Sequence, residues 1–354
     1  MQKELTEQAI DLLKKLIETQ SFSSEEEQTA LLLQNWFKNH NIPFQRENNN
    51  IWAFNEHFDA SKPSILLNSH HDTVKPNGNY TRNPFEATVE DGKLFGLGSN
   101  DAGGCLVSLI ATFTYFYGRT DLAYNLIITA TAEEESSGPL GLKSILTHFE
   151  NVSFAIVGEP TLMQLAIAEK GLLVLDVSVN GTSSHAAHPN TDNSIYNALP
   201  VIQWFQNHQF EKESETLGKV KMTVTQLAAG NQHNVVPSHC NLVVDIRVND
   251  CYTNQEVLKV VTEAMPKNTN IKPRSLHLGS SSIPKDHPVV LSGIALGRTT
   301  YGSPTLSDQS VLRCPSLKLG PGDSTRSHSA DEFIYINEIE EGVRLYIQIL
   351  EGIL

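Results

Sequence analysis

Apolar and polar positions recur along the 354-residue chain in two different rhythms, and the switch between them marks its organisation. Residues 5–18 carry Ile10, Leu13, Leu16 and Ile17 at helical spacing. Ser24, Glu25, Glu26 and Glu27 then have the form of a capping box before a helix reaching about His40, where "NHNIP" stops it. Short unbroken apolar runs follow at 64–69, 124–132 and 154–158, with a helical segment near 104–117 between the first two. Buried runs separated by helices predict an α/β fold, a mostly parallel sheet covered by helices on both faces.

After Gly171 the rhythm changes. Residues 172–180, 219–228 and 240–248 read as strands, and in the second of these Val220, Met222 and Val224 alternate with Lys219, Lys221 and Thr223. Such alternation describes a sheet with one wet face. Helices at 194–207 and 254–265 and a last strand at 271–278 complete β-α-β-β-α-β, the ferredoxin-like order. The chain then returns to helix and a buried strand at 316–320, and ends in a helix with Asn337 as N-cap. The expected organisation is a catalytic domain in two parts, 1–170 and 281–354, with an inserted ferredoxin-like α+β lid domain at 171–280.

Composition narrows the function classes. Hydrophobic residues make up 40% and charged residues 19%, values of a soluble globular protein. No apolar run is long enough for a membrane span and the start lacks a signal-peptide pattern, so a cytoplasmic location is expected, without membrane partners. The sequons at Asn79, Asn151 and Asn180 are then accidental. A formal net charge of −14 and the lack of a basic cluster argue against nucleic acid. Cys105, Cys240, Cys251 and Cys314 lie far apart with no C-x-x-C, so they read as reduced thiols.

Chemistry collects just beyond the strand runs. "NSHHDTV" follows the first; period-2 alternation puts His70 and Asp72 on one side and His71 on the other, a pairing suited to one metal ion. Asp101 follows "LFGLGSN", Glu133, Glu134 and Glu135 follow "LIITATA", Glu159 follows "FAIVG", and His328 lies in the loop after "SLKLGPG". Singly, each has a plain structural reading: a satisfied histidine, a turn aspartate, a solvated helix start. Together they place carboxylate and imidazole at successive strand ends, where loops of open α/β sheets converge.

The motifs "SHHDTV", "LFGLGSNDAGG", "TAEEESSG", "VGEPT", "NGTSSHAAHP", "HNVVPSHCNLVVDIR" and "RSHSADE" resemble, in order and spacing, those of the co-catalytic zinc amidohydrolase/peptidase family. That family includes acetylornithine deacetylase, succinyl-diaminopimelate desuccinylase, aminoacylase and glutamate carboxypeptidase. The resemblance implies one zinc held by His70, Asp101 and Glu159 and a second by Asp101, Glu135 and His328, with cobalt or manganese as possible substitutes. It implies Glu134 as general base and acid, Asp72 as the carboxylate orienting His70, Glu133 as a solvated neighbour, and a cis Asp101–Ala102 peptide. A bridging hydroxide would be the nucleophile, since zinc brings the pKa of bound water to roughly 7.

By the same resemblance His185 is an oxyanion donor reaching across a homodimer formed by the lid domains. Asn234 and Arg247 grip the substrate, although Asp245 beside Arg247 offers an ordinary ion pair, and Ser307, Asp308 and Gly320 line the pocket. Many relatives have Arg and Lys where this chain has Leu97 and Gly103, which weakens transfer of a named substrate. The implied activity is hydrolysis of an N-acyl amino acid in the manner of acetylornithine deacetylase, placing the chain in amino-acid, specifically arginine, biosynthesis. Desuccinylase, dipeptidase and carboxypeptidase are the enzymatic alternatives, and a non-catalytic metal-containing binder is the remote one.

Overall fold

The computed structural model describes residues 2–354, which divide into two compact units. The first comprises the chain to Ile167 together with Ser282–Tyr301 and Ser307–Leu354; the second comprises Ala168–Ser281 and Gly302–Leu306. The short return segment from Gly302 to Leu306 was not separable in the sequence from the chain around it.

The first unit is α/β, as its apolar runs require. The middle of its sheet runs Asn125–Thr131, Ser64–His70, Val152–Val157 and Ser316–Lys318, these four parallel to one another. Side chains alternate between two buried faces. Ile65, Leu67, Leu126 and Ile128 join the large core formed with helices Gln2–Ile17, Gly104–Phe116 and Ile336–Glu351. Leu66 and Ile127 pack on the other face with Trp52, Leu142, Ile145 and Phe149. Helix Gly104–Phe116 is buried almost all round, which explains its nearly continuous apolar sequence. Truncating a fully buried ring there, Phe113→Ala, would cost about 3–5 kcal/mol.

Strands also lie where the sequence reading marked none. Asn50–Phe54 pairs antiparallel with Asn125–Thr131, and Gln45–Glu47 pairs with it in turn. Leu165–Glu169 pairs antiparallel with Ser316–Lys318. The Ser24 capping box is not formed: helix Glu27–Asn39 begins after Glu26 with no side-chain cap, and the Ser24 hydroxyl turns away to donate to Glu133. The final helix begins at Ile336, ahead of Asn337, because Glu338 reaches back to the Tyr335 N–H at 3.1 Å. A small three-stranded sheet, Thr88–Glu90, Lys93–Phe95 and Phe333–Tyr335, brackets the loops bearing Asp101 and His328.

The second unit is a four-stranded antiparallel sheet in the order Lys221–Ala229, His239–Val248, Gly171–Asn180, Thr269–Pro273. Numbered along the chain this is 2-3-1-4, the ferredoxin-like arrangement. Helices Ser194–Asn207 and Asn254–Ala264 cover one face, burying Val201, Phe205, Val257 and Val261 against Leu173, Leu175, Val244 and Ile246. Asn193 caps the first helix, and Thr253 with Glu256 forms a complete capping box on the second. No helix among the described residues is long and apolar enough to cross a membrane.

Candidate active site

Three parallel strands deliver the first ligand-type side chains because each ends where the apolar run ends. His70 is the last residue of Ser64–His70, Glu133 to Glu135 follow Asn125–Thr131, and Glu159 follows Val152–Val157. Asp101 sits in a kinked turn between Lys93–Phe95 and helix Gly104–Phe116, joined to Ala102 by the expected cis peptide. His328, in the loop before Phe333–Tyr335, has a left-handed backbone with φ of 58°.

These residues converge. The ligating atoms of His70, Asp101 and Glu159 lie within 4.8 Å of one another, as do those of Asp101, Glu135 and His328, so Asp101 is common to both groups. His70 Nε2 is 3.4 Å from Asp101 Oδ1 and 3.9 Å from both Glu134 Oε2 and Glu159 Oε1. His328 Nε2 is 3.0 Å from Glu135 Oε2 and 3.7 Å from Asp101 Oδ2. His70 Nδ1 lies 2.9 Å from the Asp72 carbonyl oxygen and 3.3 Å from Asp72 Oδ1. A proton on Nδ1 then donates to Asp72, and Nε2 is the ring nitrogen that faces Asp101 and Glu159. His71 faces away: Nδ1 is 2.9 Å from Thr29 Oγ1, Nε2 is 2.9 Å from the Asn49 carbonyl oxygen, and burial pulls its pKa down to about 4.

So many carboxylates in one place perturb each other's protonation. Burial, joined by the charges of Glu159, Asp308 and Glu135, drives Glu134 well above the ordinary carboxylate range against the pull of His70. Burial opposes a proton on His70, but hydrogen bonds to Asp101 and Asp72 and the Glu134 charge outweigh it and raise the imidazole. The hydrogen bond with Glu135 lifts His328 to about 9. These imidazoles neutralise part of an acidic cluster of hard oxygen donors, a donor set that suits divalent cations.

Asp72 does more than orient His70. Its Oδ1 accepts the Glu134 N–H and its Oδ2 the Glu135 N–H, each at 3.1 Å, and Oδ2 also accepts the Ser23 hydroxyl at 2.7 Å. One buried carboxylate therefore fixes the histidine and the backbone of both glutamates. Glu133 is not the solvated neighbour expected. It is buried, accepts from Ser24 Oγ at 2.8 Å and from the Leu140 N–H at 2.9 Å, and its own N–H donates to the fully buried Glu26. The reason is its backbone: at φ of 56° it reverses the chain and turns its side chain inward.

The residues expected at the substrate are placed as follows. Asp308 is buried in the first unit, with Oδ2 accepting from Asn68 Nδ2 at 2.8 Å and Thr131 Oγ1 at 2.7 Å; burial raises its pKa. Ser307 caps the short helical turn Asp308–Val311 by accepting the Gln309 N–H. Gly320 has both backbone groups engaged: its N–H donates to Thr161 Oγ1, and its carbonyl accepts from Thr161 and Met163. A Cβ there would stand 2.6 Å from Cys105 Sγ and from the Glu159 carbonyl, so close packing under the Glu159 loop demands glycine. His185, Asn234 and Arg247 belong to the second unit. His185 is exposed in a two-residue strand opposite Val235. The Asn234 carbonyl accepts from Ala186, and Arg247 forks onto Asp245 at 2.9 and 3.1 Å, the ion pair their spacing allowed.

Sequence reasoning missed Ser23, Glu26 and Glu332. Glu332 is 2% exposed and accepts the backbone N–H groups of Gly98, Asn100 and Asp101. Burial and the Asp101 charge push it up to about 8, against those three donors. It closes the "RSHSADE" motif, four residues after His328, but its residue type there carries no role that sequence reasoning assigned.

Acidic and imidazole groups gathered at the carboxyl ends of a parallel sheet, with one glutamate left outside both ligand-type groups, define a metallohydrolase. The chain belongs to peptidase family M20/M25/M40, whose sequence profile matches residues 66–352. It is 28% identical to acetylornithine deacetylase of Shigella sonnei (strain Ss046), over 96% of each chain. It is 26% identical to succinyl-diaminopimelate desuccinylase 2 of Ruegeria sp. (strain TM1040), over 96% of this chain and 94% of that one. Among solved structures, the M20 family metallo-carboxypeptidase Sso-CP2 from Sulfolobus solfataricus superimposes with a TM-score of 0.77 at 14% identity, over 98% of this chain and 99% of that one.

Proposed function

We propose that this chain hydrolyses the amide bond of an N-acyl amino acid, using two divalent cations, zinc foremost. His70, Asp101 and Glu159 would hold one and Asp101, Glu135 and His328 the other. The observation that carries this reading is the pair of donor groups sharing Asp101 with Glu134 beside them. Bound there, the cations would supply Lewis acidity, acidifying water and polarising the amide carbonyl. Glu134, outside both donor groups and with its proton affinity raised by burial and by its neighbours, is suited to take a proton from the attacking water and return one to the departing amine. Asp72 keeps Glu134 in place through the backbone.

The resemblance to an acetylornithine deacetylase and a desuccinylase along nearly the whole chain favours a small N-acyl amino acid as substrate. In this reading Asn234 and Arg247 recognise it, Ser307, Asp308 and Gly320 shape the pocket, and His185 is contributed by the second unit of a partner copy in a homodimer.

The test is a panel of acetyl-, succinyl- and formyl-amino acids and dipeptides, assayed with zinc, cobalt or manganese. Wild type should release acid from one N-acyl class, and Glu134→Gln should lower turnover by about 10²–10⁴ with metal content unchanged. Turnover that survives the substitution removes Glu134 from this role; a wild type that cleaves only dipeptides removes the deacylase reading.

A further inference from the structure

The carboxylate shared by both donor groups sits in one short kinked helical turn, Ser99–Gly103, entered from an irregular loop. Residues 96–101 contain two glycines at positive φ, Gly96 at 142° and Gly98 at 76°, before the kinked turn at Asp101. Something outside the loop has to fix it. Three of its N–H groups point inward to a single side chain: Gly98 donates to Glu332 Oε2 at 3.1 Å, while Asn100 and Asp101 donate to Oε1 at 2.8 and 2.9 Å. The Gly96 N–H donates to the Glu332 carbonyl at 3.0 Å.

Glu332 also belongs to the loop that carries His328. The residue between them and adjacent to Glu332, Asp331, accepts from the N–H groups of Thr81 and Arg82. The next residue, Phe333, opens a strand in register with Phe95. The His328 loop is thus tied down on both sides of Glu332, and the Asp101 loop is tied to Glu332.

We propose that Glu332 is the positioning residue of the metal centre: by seating the backbone of the Asp101 loop on the His328 loop, its carboxylate sets the Asp101 side chain relative to the donors of both groups. Both Glu332 oxygens face backbone N–H groups, so it acts through Asp101 and not on the reacting atoms. A carboxylate is required because three buried N–H donors need acceptors. A glutamine offers one oxygen and turns an NH₂ toward the remaining donor, leaving it unsatisfied.

The proposal rests on the metal reading above, and the experiment separates the two. Chelator-stripped wild type, Glu332→Gln and Glu332→Asp are titrated with Co²⁺, following visible absorption and bound metal per chain. Wild type should take up two ions; if it takes up none, the metal reading fails by itself. With wild type loaded, Glu332→Gln should bind cobalt about 10–100-fold more weakly at both sites, with altered d–d bands, because Asp101 serves both. Glu332→Asp, which keeps the charge on a shorter arm, should fall between. A folded Glu332→Gln that binds cobalt with wild-type affinity and spectrum overturns the proposal, even if its melting temperature drops. Should Glu332→Gln fail to fold, Glu332→Asp is judged by the same criterion: weakened uptake supports the role, wild-type uptake refutes it.

Discussion

The resemblance places Gly103 where a lysine is expected in many members of the family, and its surroundings show why a side chain there is not a neutral change. Gly103 has an ordinary helical backbone, φ −58° and ψ −41°, so alanine meets no conformational objection. Space is the obstacle. A Cβ on Gly103 would lie 2.5 Å from the Gly98 carbonyl oxygen and 2.6 Å from Leu13 Cδ1, where real Cβ contacts essentially never come under 3.0 Å. Leu13 can swing its methyl aside. Gly98 cannot retreat as easily, because its carbonyl accepts the Gly103 N–H at 2.9 Å and its own N–H is held by Glu332. Overpacking of this kind costs about 1–3 kcal/mol, offset by up to about 1 kcal/mol of helix propensity gained over glycine. Because the closer clash is with backbone, the upper part of that cost, about 2–3 kcal/mol, applies, and Gly103→Ala should lose about 1–2 kcal/mol net. The assay is urea unfolding of the metal-free protein against Gly78→Ala, whose Cβ would meet nothing within 4 Å. The control should stay within about 0.5 kcal/mol of wild type. A Gly103→Ala protein as stable as the control would refute the packing argument, and with it the view that a lysine at 103 needs a differently placed Asp101 loop.

Other outcomes follow from the same contacts. Glu133→Ala leaves the Ser24 hydroxyl and the Leu140 N–H without their acceptor, so it should destabilise by about 1–3 kcal/mol for each group that stays buried; an unchanged denaturation midpoint would count against it. The metal-free protein should hold a proton on His328, raised from an ordinary 6.5 to about 9 by Glu135. The folded form then binds a proton the unfolded chain lacks, so this stabilisation is complete below about 6.5 and disappears as pH rises through about 9. A cation takes the neutral imidazole, so uptake at pH 7 should release protons and strengthen with rising pH. Calorimetry in buffers of different ionisation enthalpy reads this directly, and a heat independent of buffer would contradict it.

Much of the fold could be read locally because its signals are local. Ser64–His70, Asn125–Thr131 and Val152–Val157 are apolar on both faces and bounded by turn residues, so each declares itself within a few positions. Asn50–Phe54 does not, since it opens with an asparagine whose buried side chain reaches to the Leu140 carbonyl, 90 residues away. Ser24 misled for the same reason. Its serine-glutamate spacing fits a capping box, but its hydroxyl has a better partner in Glu133, 109 residues on. Asn337 is a good capping type that lost its place to Glu338, whose carboxylate reaches the Tyr335 N–H. Local rules describe what a residue can do; the choice belongs to whatever the tertiary fold brings alongside.

The same distinction divides the candidate site. His70, Asp101, Glu135, Glu159 and His328 could be found because their chemistry is carried by side-chain type at strand ends. The carboxylates that hold them could not, because Glu26, Glu133 and Glu332 accept from backbone N–H groups, and every residue but proline has one of those. Their charge is nonetheless what the loops need. A loop that carries a donor beyond a strand end has lost its sheet partners, so its N–H groups must find acceptors inside the protein. A charged oxygen satisfies several of them at once, as Glu332 and Asp72 do, and does so more strongly than a neutral one. The consequence is a centre surrounded by more negative charge than its donor set alone would bring. Repulsion between Asp101 and Glu332, which helps raise the Glu332 pKa, is one cost of that choice, and a pair of divalent cations would offset it. Rigid loops and a strong appetite for cations thus come from the same buried carboxylates.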